Sequence, residues 1–293
     1  MIPSTSLSIR LFVGNAHPVM RADSQELDRL HHALIQTIAD FINRRLPLRR
    51  IILVASIFKD CNIELPTTDI LVRRLLKEQH KDGGWIDCED TAWSLFYINE
   101  NMHKKKVIHG LSWLEGERKE KKGWGFCKRD HPNIPITGQI LYLLPEINSH
   151  IETAKWLENQ WKKDIESYVK LDYKGAWYVL AYIKLFENLR LSKGLFEKTV
   201  EYLLKEQRND GSWGPWRKHP AGDDFYSTGL CMAALALSYN VTGNRKIYAA
   251  LNKSIKWIKN NQLENGLLPT HYIEEGSAWI FWGWSKALSL LDI

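Results

Sequence analysis

A nine-residue segment that recurs along the chain constrains its fold more than any other feature. KEQHKDGGW (residues 77–85) is repeated as KEQRNDGSW (residues 205–213). Each copy follows an apolar, helix-like run. Each precedes an acidic patch and a second apolar run, TAWSLFYI after the first copy and STGLCMAALAL after the second. Such self-similarity indicates that the chain is built from copies of one supersecondary unit.

Weaker copies of the same unit fill the rest of the chain. They lie at residues 27–58, 111–144, 154–186 and 255–288, so the units number six. Each unit combines an outer amphipathic helix, a polar turn rich in Gly and Asp, and an inner helix that is apolar nearly all round. A helix of the second kind must be buried. Strand-like alternation extends over no useful length, so the pattern predicts an all-α protein.

Six helix pairs can close into an (α/α)6 toroid, in which the inner helices line a central funnel and begin together at one mouth. A flat solenoid is the structural alternative, although solenoids usually have a more uniform repeat and fewer aromatic residues. The 293 residues are many for one domain but suit a closed ring. We assign the toroid to residues 24–293. Residues 1–23 have weak periodicity and are expected to form an N-terminal arm.

Composition indicates a globular protein with an unusual use of tryptophan. The hydrophobic fraction of 44% argues against disorder. The 13 Trp residues exceed what packing usually requires, and they indicate a lined cavity or a repeated Trp device. The net charge of +6 comes from mostly scattered Lys and Arg residues. We interpret them as a solvated surface, with attraction for anionic partners as the alternative.

The cysteines and the N-terminus bear on the cellular compartment. Four cysteines lie far apart and form no CxxC pair, which is typical of reduced thiols in the cytosol. The N-terminal segment lacks the basic start and apolar core of a signal peptide. No uncharged apolar run approaches the 18 residues of a membrane span. We therefore expect a cytoplasmic protein, either free or in peripheral contact with a membrane.

The turns after the outer helices resemble the QW repeat, Gln-x2-5-Gly-x-Trp, of squalene–hopene cyclases and other class II terpene cyclases. Gln79 with Trp85 and Gln207 with Trp213 match this repeat fully, and the turn at Gln262 matches it in part. The same α/α toroid underlies the β subunits of protein prenyltransferases, and similar turns occur in some α/α-barrel polysaccharide lyases. The resemblance extends from residue 27 to the end and implies the toroid fold, whereas a fold alone does not define an activity.

Residues 87–92, DCEDTA, resemble the class II acid motif Asp-x-Asp-Asp-Thr-Ala and depart from it only at the middle position. In that family the middle carboxyl is the proton donor. The resemblance therefore implies that Glu89 is the acid, Asp87 its polarising partner and Asp90 a supporting carboxyl. Crowded carboxyls in a partly dry site share protons, because like charges cannot both ionise cheaply. Ordinary capping of the following helix is an equally open interpretation.

A carbocation requires an apolar cavity whose π faces stabilise positive charge without attacking it. Aromatic residues of the inner helices are the candidate substrate-binding residues, namely Trp93, Phe96, Tyr97, Tyr142, Trp177, Phe225, Tyr226, Trp279, Phe281 and Trp282. Asp223 and Asp224 precede a later inner helix in the way that Asp87 and Asp90 precede the first. They are predicted either to face the first acidic cluster across the mouth or to cap their own helix.

Metal and nucleotide chemistry have weaker support. The zinc site of the prenyltransferases requires Asp-x-Cys and His-Thr, but Glu89 occupies the Cys position and Ser227 stands where His is needed. We therefore predict no metal site, and Mg2+ is expected only if the substrate carries a diphosphate. No P-loop or GxSxG motif is present. A diphosphate can instead be held by basic loop residues, which are otherwise solvated, namely Arg129, His131, Arg217, Lys218 and His219.

The favoured interpretation is a class II-type terpene cyclase that binds an isoprenoid small molecule and no nucleic acid. Because one ring has no second domain to close its pocket, a homodimer, another partner or a membrane surface is expected to close it. Two alternatives stay open. One is a non-catalytic toroid that binds a prenyl group or a peptide. The other is an α/α-barrel polysaccharide lyase or hydrolase, which predicts an open, polar, charged groove instead of an aromatic funnel.

Overall fold

The repeat unit of the sequence is also the unit of the fold. The structure is a computed structural model that describes residues 18–98, 100–120, 122–147, 149–168, 170–186, 189–219 and 224–291. Twelve α-helices occur in these residues: α1 Pro18–Asn43, α2 Arg49–Asp60, α3 Thr68–Glu78, α4 Cys88–Tyr97, α5 Glu100–Glu117, α6 Ile134–Leu143, α7 His150–Asp164, α8 Asp172–Leu185, α9 Lys193–Glu206, α10 Phe225–Thr242, α11 Lys246–Asn261 and α12 Ile273–Leu291. No β-strand occurs in this described part of the chain.

Consecutive helices form six pairs, each with an odd-numbered outer helix and an even-numbered inner helix. Every inner helix packs against the inner helices before and after it in the chain. Helix α12 also contacts α2, which closes the ring. The structure therefore confirms the predicted (α/α)6 toroid, and the flat solenoid is wrong.

The inner helices all begin at one end of the ring, here called the mouth, and finish at the opposite far end. Each outer helix runs toward the mouth, so the chain crosses that end once in every pair. The mouth loops are the six connecting segments at residues 44–48, 79–87, 118–133, 165–171, 207–224 and 262–272. Their lengths differ, whereas the helices that they join keep one arrangement.

Two glycines allow the inner helices α10 and α12 to approach each other closely. A Cβ atom on Gly229 would lie 2.2 Å from the carbonyl oxygen of Trp279. A Cβ atom on Gly283 would lie 2.3 Å from the carbonyl oxygen of Gly229. Only glycine fits such backbone contact. The two helices therefore pack backbone against backbone, and their larger side chains fill the ring around this contact.

The tryptophans of the repeated turns anchor each mouth loop to its own helix pair. The Trp85 indole donates to the carbonyl of Leu75 at 3.1 Å, and its backbone N–H donates to the Thr91 hydroxyl at 3.0 Å. Trp213 makes the equivalent indole bond to Leu203 at 2.9 Å. These bonds satisfy buried polar groups at the end of an outer helix. They explain part of the tryptophan content without reference to a ligand.

The glutamines of the same turns connect successive pairs. Gln79 donates to the carbonyl of Lys106 in the next outer helix at 3.0 Å. Gln207 makes the equivalent bond to α11. Gln262 donates to the carbonyl of Glu26 in α1 at 2.9 Å, so the last turn is fastened to the first helix. The bond from Gln262 to α1 is of the same type as those from Gln79 and Gln207, so one kind of hydrogen bond closes the ring of outer helices.

Helix α1 begins at Pro18, so residues 18–23 of the expected N-terminal arm are helical. Residues 1–17 lie outside the described residues. The domain boundary at residue 23 therefore stays a prediction.

Candidate active site

The acidic cluster lies at the mouth, where helix α4 begins. Asp87 is the N-cap of α4, and its carboxylate accepts the Asp90 N–H at 2.9 Å. Glu89 and Asp90 occupy the first turn of the helix, where the helix dipole favours negative charge. Asp87 thus caps α4, as the capping interpretation expects. Glu89 and Asp90 are not needed for that role.

One arginine contacts all three carboxylates. Arg49 is the first residue of α2, and its Nη2 atom lies 3.0 Å from Asp87 Oδ2 and 3.4 Å from Glu89 Oε2. Its Nε atom lies 3.5 Å from Asp90 Oδ2. Sequence reasoning missed this residue because it stands in a short basic run that resembles a solvated surface. The available signal was its position, because Arg49 stands at the start of an inner helix as the acid motif does.

A second polar contact connects Glu89 to the aromatic interior. Gln139 of α6 is buried, and its amide fits its surroundings in one orientation only. In that orientation its nitrogen donates to Glu89 Oε1 at 3.2 Å and its oxygen accepts from Trp93 Nε1 at 2.9 Å. The Glu89 carboxyl is therefore held from both sides, by Arg49 on one oxygen and by Gln139 on the other. Sequence reasoning did not single out Gln139.

The acidities of the cluster are strongly altered. Burial, together with the charge of Asp87, raises the pKa of Glu89 to about 7 and the pKa of Asp90 to about 7. The guanidinium of Arg49 acts in the opposite direction on both pKa values. The two side chains are 26% and 6% exposed, so water screens them little. A carboxyl that keeps its proton to about pH 7 can act as a general acid in neutral solution.

Helix α12 supplies two further carboxyl groups to the mouth. Glu274 is buried and pairs with the guanidinium of Arg50. Burial and the charge of Glu274 together raise the pKa of Glu275. A pocket of about 480 Å³ separates these groups from the α4 cluster. It is lined by Pro47, Arg49, Arg50, Leu53, Glu89, Asp90, Trp93, Tyr272, Glu274 and Glu275.

Six of the ten predicted aromatic residues meet at the centre of the ring, and we call them the ring cluster: Trp93, Tyr142, Trp177, Tyr226, Trp279 and Trp282. The centroid of Trp279 lies 6.0 Å from that of Trp93 and 5.9 Å from that of Trp177. Trp93, Trp177 and Trp279 are each at most 2% exposed. The centre of the ring is therefore packed with aromatic side chains.

The other four predicted aromatic residues lie away from this cluster. Phe96 packs under the Lys59 ammonium, and the Tyr97 hydroxyl donates to Thr68 at 3.3 Å. Phe225 packs against an outer-helix tryptophan, and Phe281 stacks on Phe58. Successive residues of a helix face different directions, so an aromatic run cannot place all of its members at one centre.

Of the two predicted acidic residues before α10, the structure describes Asp224, and it caps its own helix. Asp224 is the N-cap of α10, and its carboxylate accepts the Ser227 N–H at 3.0 Å and the Ser227 hydroxyl at 2.6 Å. The capping interpretation therefore accounts for Asp224. Asp223 lies outside the described residues. Ser227, which stands where a zinc site needs His, is thus fully used in the cap.

The far end of the ring cluster is closed by a different carboxylate. Asp60, the last residue of α2, accepts from the Trp282 indole at 2.7 Å and from the Tyr142 hydroxyl at 3.0 Å. The Lys286 ammonium lies 2.9 Å from its Oδ2 atom. Despite burial, this lysine, the Trp282 indole and the charge of Lys184 lower the pKa of Asp60. The aromatic cluster therefore lies between a protonatable mouth and an ionised far end.

Two negative findings apply to the described residues. Among them, no group of three or more His, Cys, Asp and Glu side chains is arranged to hold a metal ion. The helices they form include none that is long and apolar enough to cross a membrane.

Comparison with known proteins supports the fold. No family model matches the chain. Squalene–hopene cyclase of Alicyclobacillus acidocaldarius is 25% identical to it over 156 residues, which are 51% of this chain and 21% of that protein. The match thus spans about a fifth of that curated relative.

Solved structures match over almost the whole ring. Apo type II terpene cyclase MstE from Scytonema gives a TM-score of 0.66 at 14% identity, over 90% of this chain and 99% of that chain. A variant of MstE in complex with geranylgeranyl dihydroxybenzoate, its substrate, gives 0.64 at 12% identity, over 91% and 99%. A family 105 glycoside hydrolase of C. acetobutylicum gives 0.58 at 12% identity, over 87% and 99%. The chain therefore has the α/α-toroid fold of class II terpene cyclases, which other enzymes share.

Proposed function

We propose that this protein is a class II-type terpene cyclase, which protonates an alkene or epoxide of an isoprenoid and so starts a carbocation cyclisation. The placement of Glu89 carries the proposal. Glu89 occupies the middle position of the acid motif and keeps its proton to about pH 7. Through Gln139 it is joined to Trp93, the first aromatic residue below the mouth pocket. The toroid shared with MstE supports this assignment.

The proposed reaction needs only acid and apolar surroundings. Glu89 donates its proton to the less substituted carbon of a terminal alkene, whose π electrons form the new C–H bond, or to the oxygen of an epoxide, whose C–O bond breaks. Positive charge remains on the adjacent carbon, and the internal alkenes attack it in turn to close rings. The last cation loses a proton or takes up water. Solvent returns a proton to Glu89.

Arg49 and Gln139 set the strength of this acid. The guanidinium of Arg49 lies beside the oxygen that becomes negatively charged when Glu89 gives up its proton. A cation there stabilises the conjugate base, while burial keeps the carboxyl protonated until the substrate arrives. Gln139 donates to the other oxygen and so fixes the orientation of the carboxyl group. Both residues act through Glu89 and are positioning residues.

The size of the pocket restricts how the substrate enters. A volume of about 480 Å³ lies within the usual range for small-molecule sites, which is about 300–1,000 Å³. Because the ring cluster beneath it is closed, a long isoprenoid chain requires those rings to separate. Their faces then surround the developing cation. This ring aligns with 99% of the MstE chain. By this analogy, the proposed reaction does not require a second domain.

The test is a product screen by gas chromatography–mass spectrometry. The protein is incubated with geranyl, farnesyl and geranylgeranyl diphosphates, squalene, oxidosqualene and a geranylgeranylated dihydroxybenzoate. The last compound is included because an MstE variant binds it. Parallel reactions with and without Mg2+ show whether the ion helps a diphosphate substrate. We expect a cyclic product from at least one isoprenoid.

The deciding variant in this screen is Glu89→Gln, which keeps the shape of the side chain and removes the proton. Glu264→Gln is the matched control, because Glu264 is an exposed carboxylate in another mouth loop. The proposal expects the product to vanish in the first variant and to persist in the second. A cyclic product that Glu89→Gln still makes at the normal rate would overturn the acid role.

The polar mouth supports one second candidate, a hydrolase or lyase of acidic sugars. Arg49 and Arg50 both line the pocket and can hold a sugar carboxylate. Glu89 provides a carboxyl group with a raised pKa, as the general acid of glycoside hydrolysis requires. The closed ring cluster suits this reading because a sugar would stay in the mouth. Release of reducing ends or unsaturated uronides, with no isoprenoid product, would favour it.

A further inference from the structure

Two of the four cysteines come together beside the acid motif. Cys88 and Cys127 lie far apart in the sequence, but the fold brings a neighbouring mouth loop against the first turn of α4. The Cys88 N–H donates to the carbonyl of Phe126 at 2.8 Å, and Phe126 is bonded directly to Cys127. The other two cysteines lie elsewhere, since Cys61 follows α2 at the far end and Cys231 lies within α10.

This hydrogen bond limits the separation of the two cysteine backbones. With standard bond lengths, the path from Cys88 Cα through the N–H···O bond to Cys127 Cα spans at most about 7 Å. Disulfide-bonded cysteines have Cα atoms about 4.4–6.8 Å apart. The Cys127 backbone is also held in place, because its carbonyl accepts the Asp130 N–H at 3.0 Å and its N–H donates to Asp130 Oδ2 at 3.3 Å. The two backbones therefore lie within reach of a disulfide bond.

The surroundings of the Cys88 thiol show which way it faces. Burial is the largest cause that raises the pKa of Cys88, followed by the charges of Glu117 and Asp87 and then by those of Cys127 and Asp130. Charges act on a thiol in this way when they lie near it. Three of these four groups belong to the end of α5 and to the loop that follows it. The Cys88 thiol therefore faces the loop that carries Cys127.

The two thiols differ in their access to solvent. Cys127 is exposed, whereas Cys88 is buried. An exposed thiol can form the reactive thiolate, while a buried thiol with a raised pKa stays protonated and reacts slowly. An oxidant in solution therefore meets Cys127 first, and Cys88 is the neighbouring thiol that can react with the oxidised product.

We propose that Cys127 and Cys88 form a reversible disulfide bond in the presence of a peroxide, and that this bond fastens the acid motif to the neighbouring mouth loop. The Cys127 sulfur attacks hydrogen peroxide, whose O–O bond breaks, and the products are a sulfenic acid and one water. The Cys88 sulfur then attacks the sulfenic sulfur. The S–O bond breaks, and the hydroxide leaves with the Cys88 proton as a second water. Two molecules of a thiol such as glutathione reduce the bond again.

The proposed bond acts directly on the acid motif, because Cys88 immediately precedes Glu89. Cys88 is fully buried and Cys127 is exposed, so joining their sulfurs draws the first turn of α4 toward the loop. Glu89 then moves relative to Arg49 and Gln139, and a displacement of about 1 Å can cost about a hundredfold in rate. We expect the oxidised chain to cyclise its substrate at least about tenfold more slowly. This consequence rests on the proposed function, whereas the bond itself does not.

The experiment is peptide mapping of the full chain after treatment with hydrogen peroxide under native conditions. Tryptic digestion without reductant should yield residues 82–104 linked to residues 123–128, lighter by two hydrogens than the sum of the two peptides. Dithiothreitol should release both peptides. Cys61 and Cys231 should stay reduced, which alkylation after unfolding detects. The linked chain should melt about 5 °C higher than the reduced chain, because a cross-link restricts the unfolded state.

Single substitutions assign the bond to these two cysteines. Cys127→Ser should abolish the linked species and make the cyclisation rate insensitive to peroxide. Because Cys127 is exposed, this variant should otherwise fold and cyclise as the wild type does. Cys88→Ser should leave Cys127 as a sulfenic acid, which dimedone traps. Cys61→Ser is the matched control, since it removes a thiol at the far end and should leave the linked species unchanged.

Three results would overturn the proposal. The first is no linked species although dimedone shows that Cys127 is oxidised. The second is a linked species that forms only in urea. The third is a link between two chains, seen as a dimer on a non-reducing gel of dilute protein. A linked chain that cyclises at the reduced chain's rate would overturn the effect on the acid. A linked chain with no cyclisation in either redox state would leave the bond standing and count against the proposed function alone.

Discussion

At the two ends of the inner ring, the pKa values of buried carboxyl groups are shifted in opposite directions. At the far end, one carboxylate, Asp60, receives a lysine and two neutral donors, and its pKa is lowered. At the mouth, Asp87, Glu89 and Asp90 share the single guanidinium of Arg49, and the pKa values of Glu89 and Asp90 rise to about 7.

Burial is similar at both ends, since the side chains of Asp60 and Asp90 are 9% and 6% exposed. The difference therefore comes from how many cations and donors each carboxyl receives. A single carboxylate with several partners is a structural ion, whereas crowded carboxyls with too few partners hold protons. Proton transfer is therefore expected at the mouth, where the carboxyl groups have too few cations and hydrogen-bond donors.

The largest effect is expected from removing the carboxylate charge at the far end. Asp60→Asn removes the charge that faces Lys286 and leaves a partly buried ammonium without its counter-ion. Loss of one partner of a buried pair costs about 3–5 kcal/mol. Urea denaturation should show this decrease in the free energy of unfolding. Asp40→Asn is the control, because Asp40 pairs with Arg44 at 55% exposure and such pairs are worth about 0–1 kcal/mol. Equal losses in the two variants would contradict the comparison.

A change in pH should act on the two ends in opposite directions. Glu89 has a pKa of about 7 in the folded chain against an ordinary 4.5, so its contribution to stability is greatest below about pH 4.5 and falls as pH rises to about 7. The decrease is expected to be about 3 kcal/mol. Asp60 behaves inversely, because its lowered pKa stabilises the fold above its ordinary 3.8 and that stability is lost in acid.

Stability measured against pH in Glu89→Gln checks this assignment. The variant carries no proton at that position, so its curve should be flatter between pH 4.5 and 7 and unchanged in the acid region. A curve that matches the wild type throughout would show that Glu89 titrates normally.

The smallest effect is expected from a substitution at the mouth. Arg49→Gln removes the cation that the three carboxylates share, so the pKa of Glu89 should rise further. We expect the pH at which activity declines to move upward by about one unit, and the rate to fall about tenfold because the acid is weaker. Arg45→Gln, in an exposed position of the same loop, is the control. A lower rate with an unmoved pH profile would mean that Arg49 is only structural.

The toroid could be predicted because its helix-pair unit occurs six times in the sequence. In the turns that carry both residues, the Trp bonds to its own helix pair and the Gln to the next outer helix, as Trp85 and Gln79 show. Such local devices recur in the sequence wherever they recur in space. The apolar inner helices gave the second half of the prediction, since nothing but burial suits them.

The candidate site was predictable only in part. The acid motif is contiguous, so Glu89 and its neighbours were visible, whereas Arg49 and Gln139 come from other helices and carry no local signal. Phe96 and Phe281 could not be distinguished from the members of the ring cluster, because an inner helix that is apolar all round does not reveal which side faces the centre. The packed state of the ring cluster depends on how side chains from five helices fit together, which no single segment records.

Ring closure has a consequence for folding. Gln262 reaches the carbonyl of Glu26 across 236 residues, and α12 contacts both α1 and α2. The last contacts to form are therefore among the most distant in the chain, which favours slow completion. Because α1 and α12 are neighbours, their ends could be joined by a short linker and the chain reopened in any far-end loop. A circularly permuted chain that starts at α5 should then fold to the same ring.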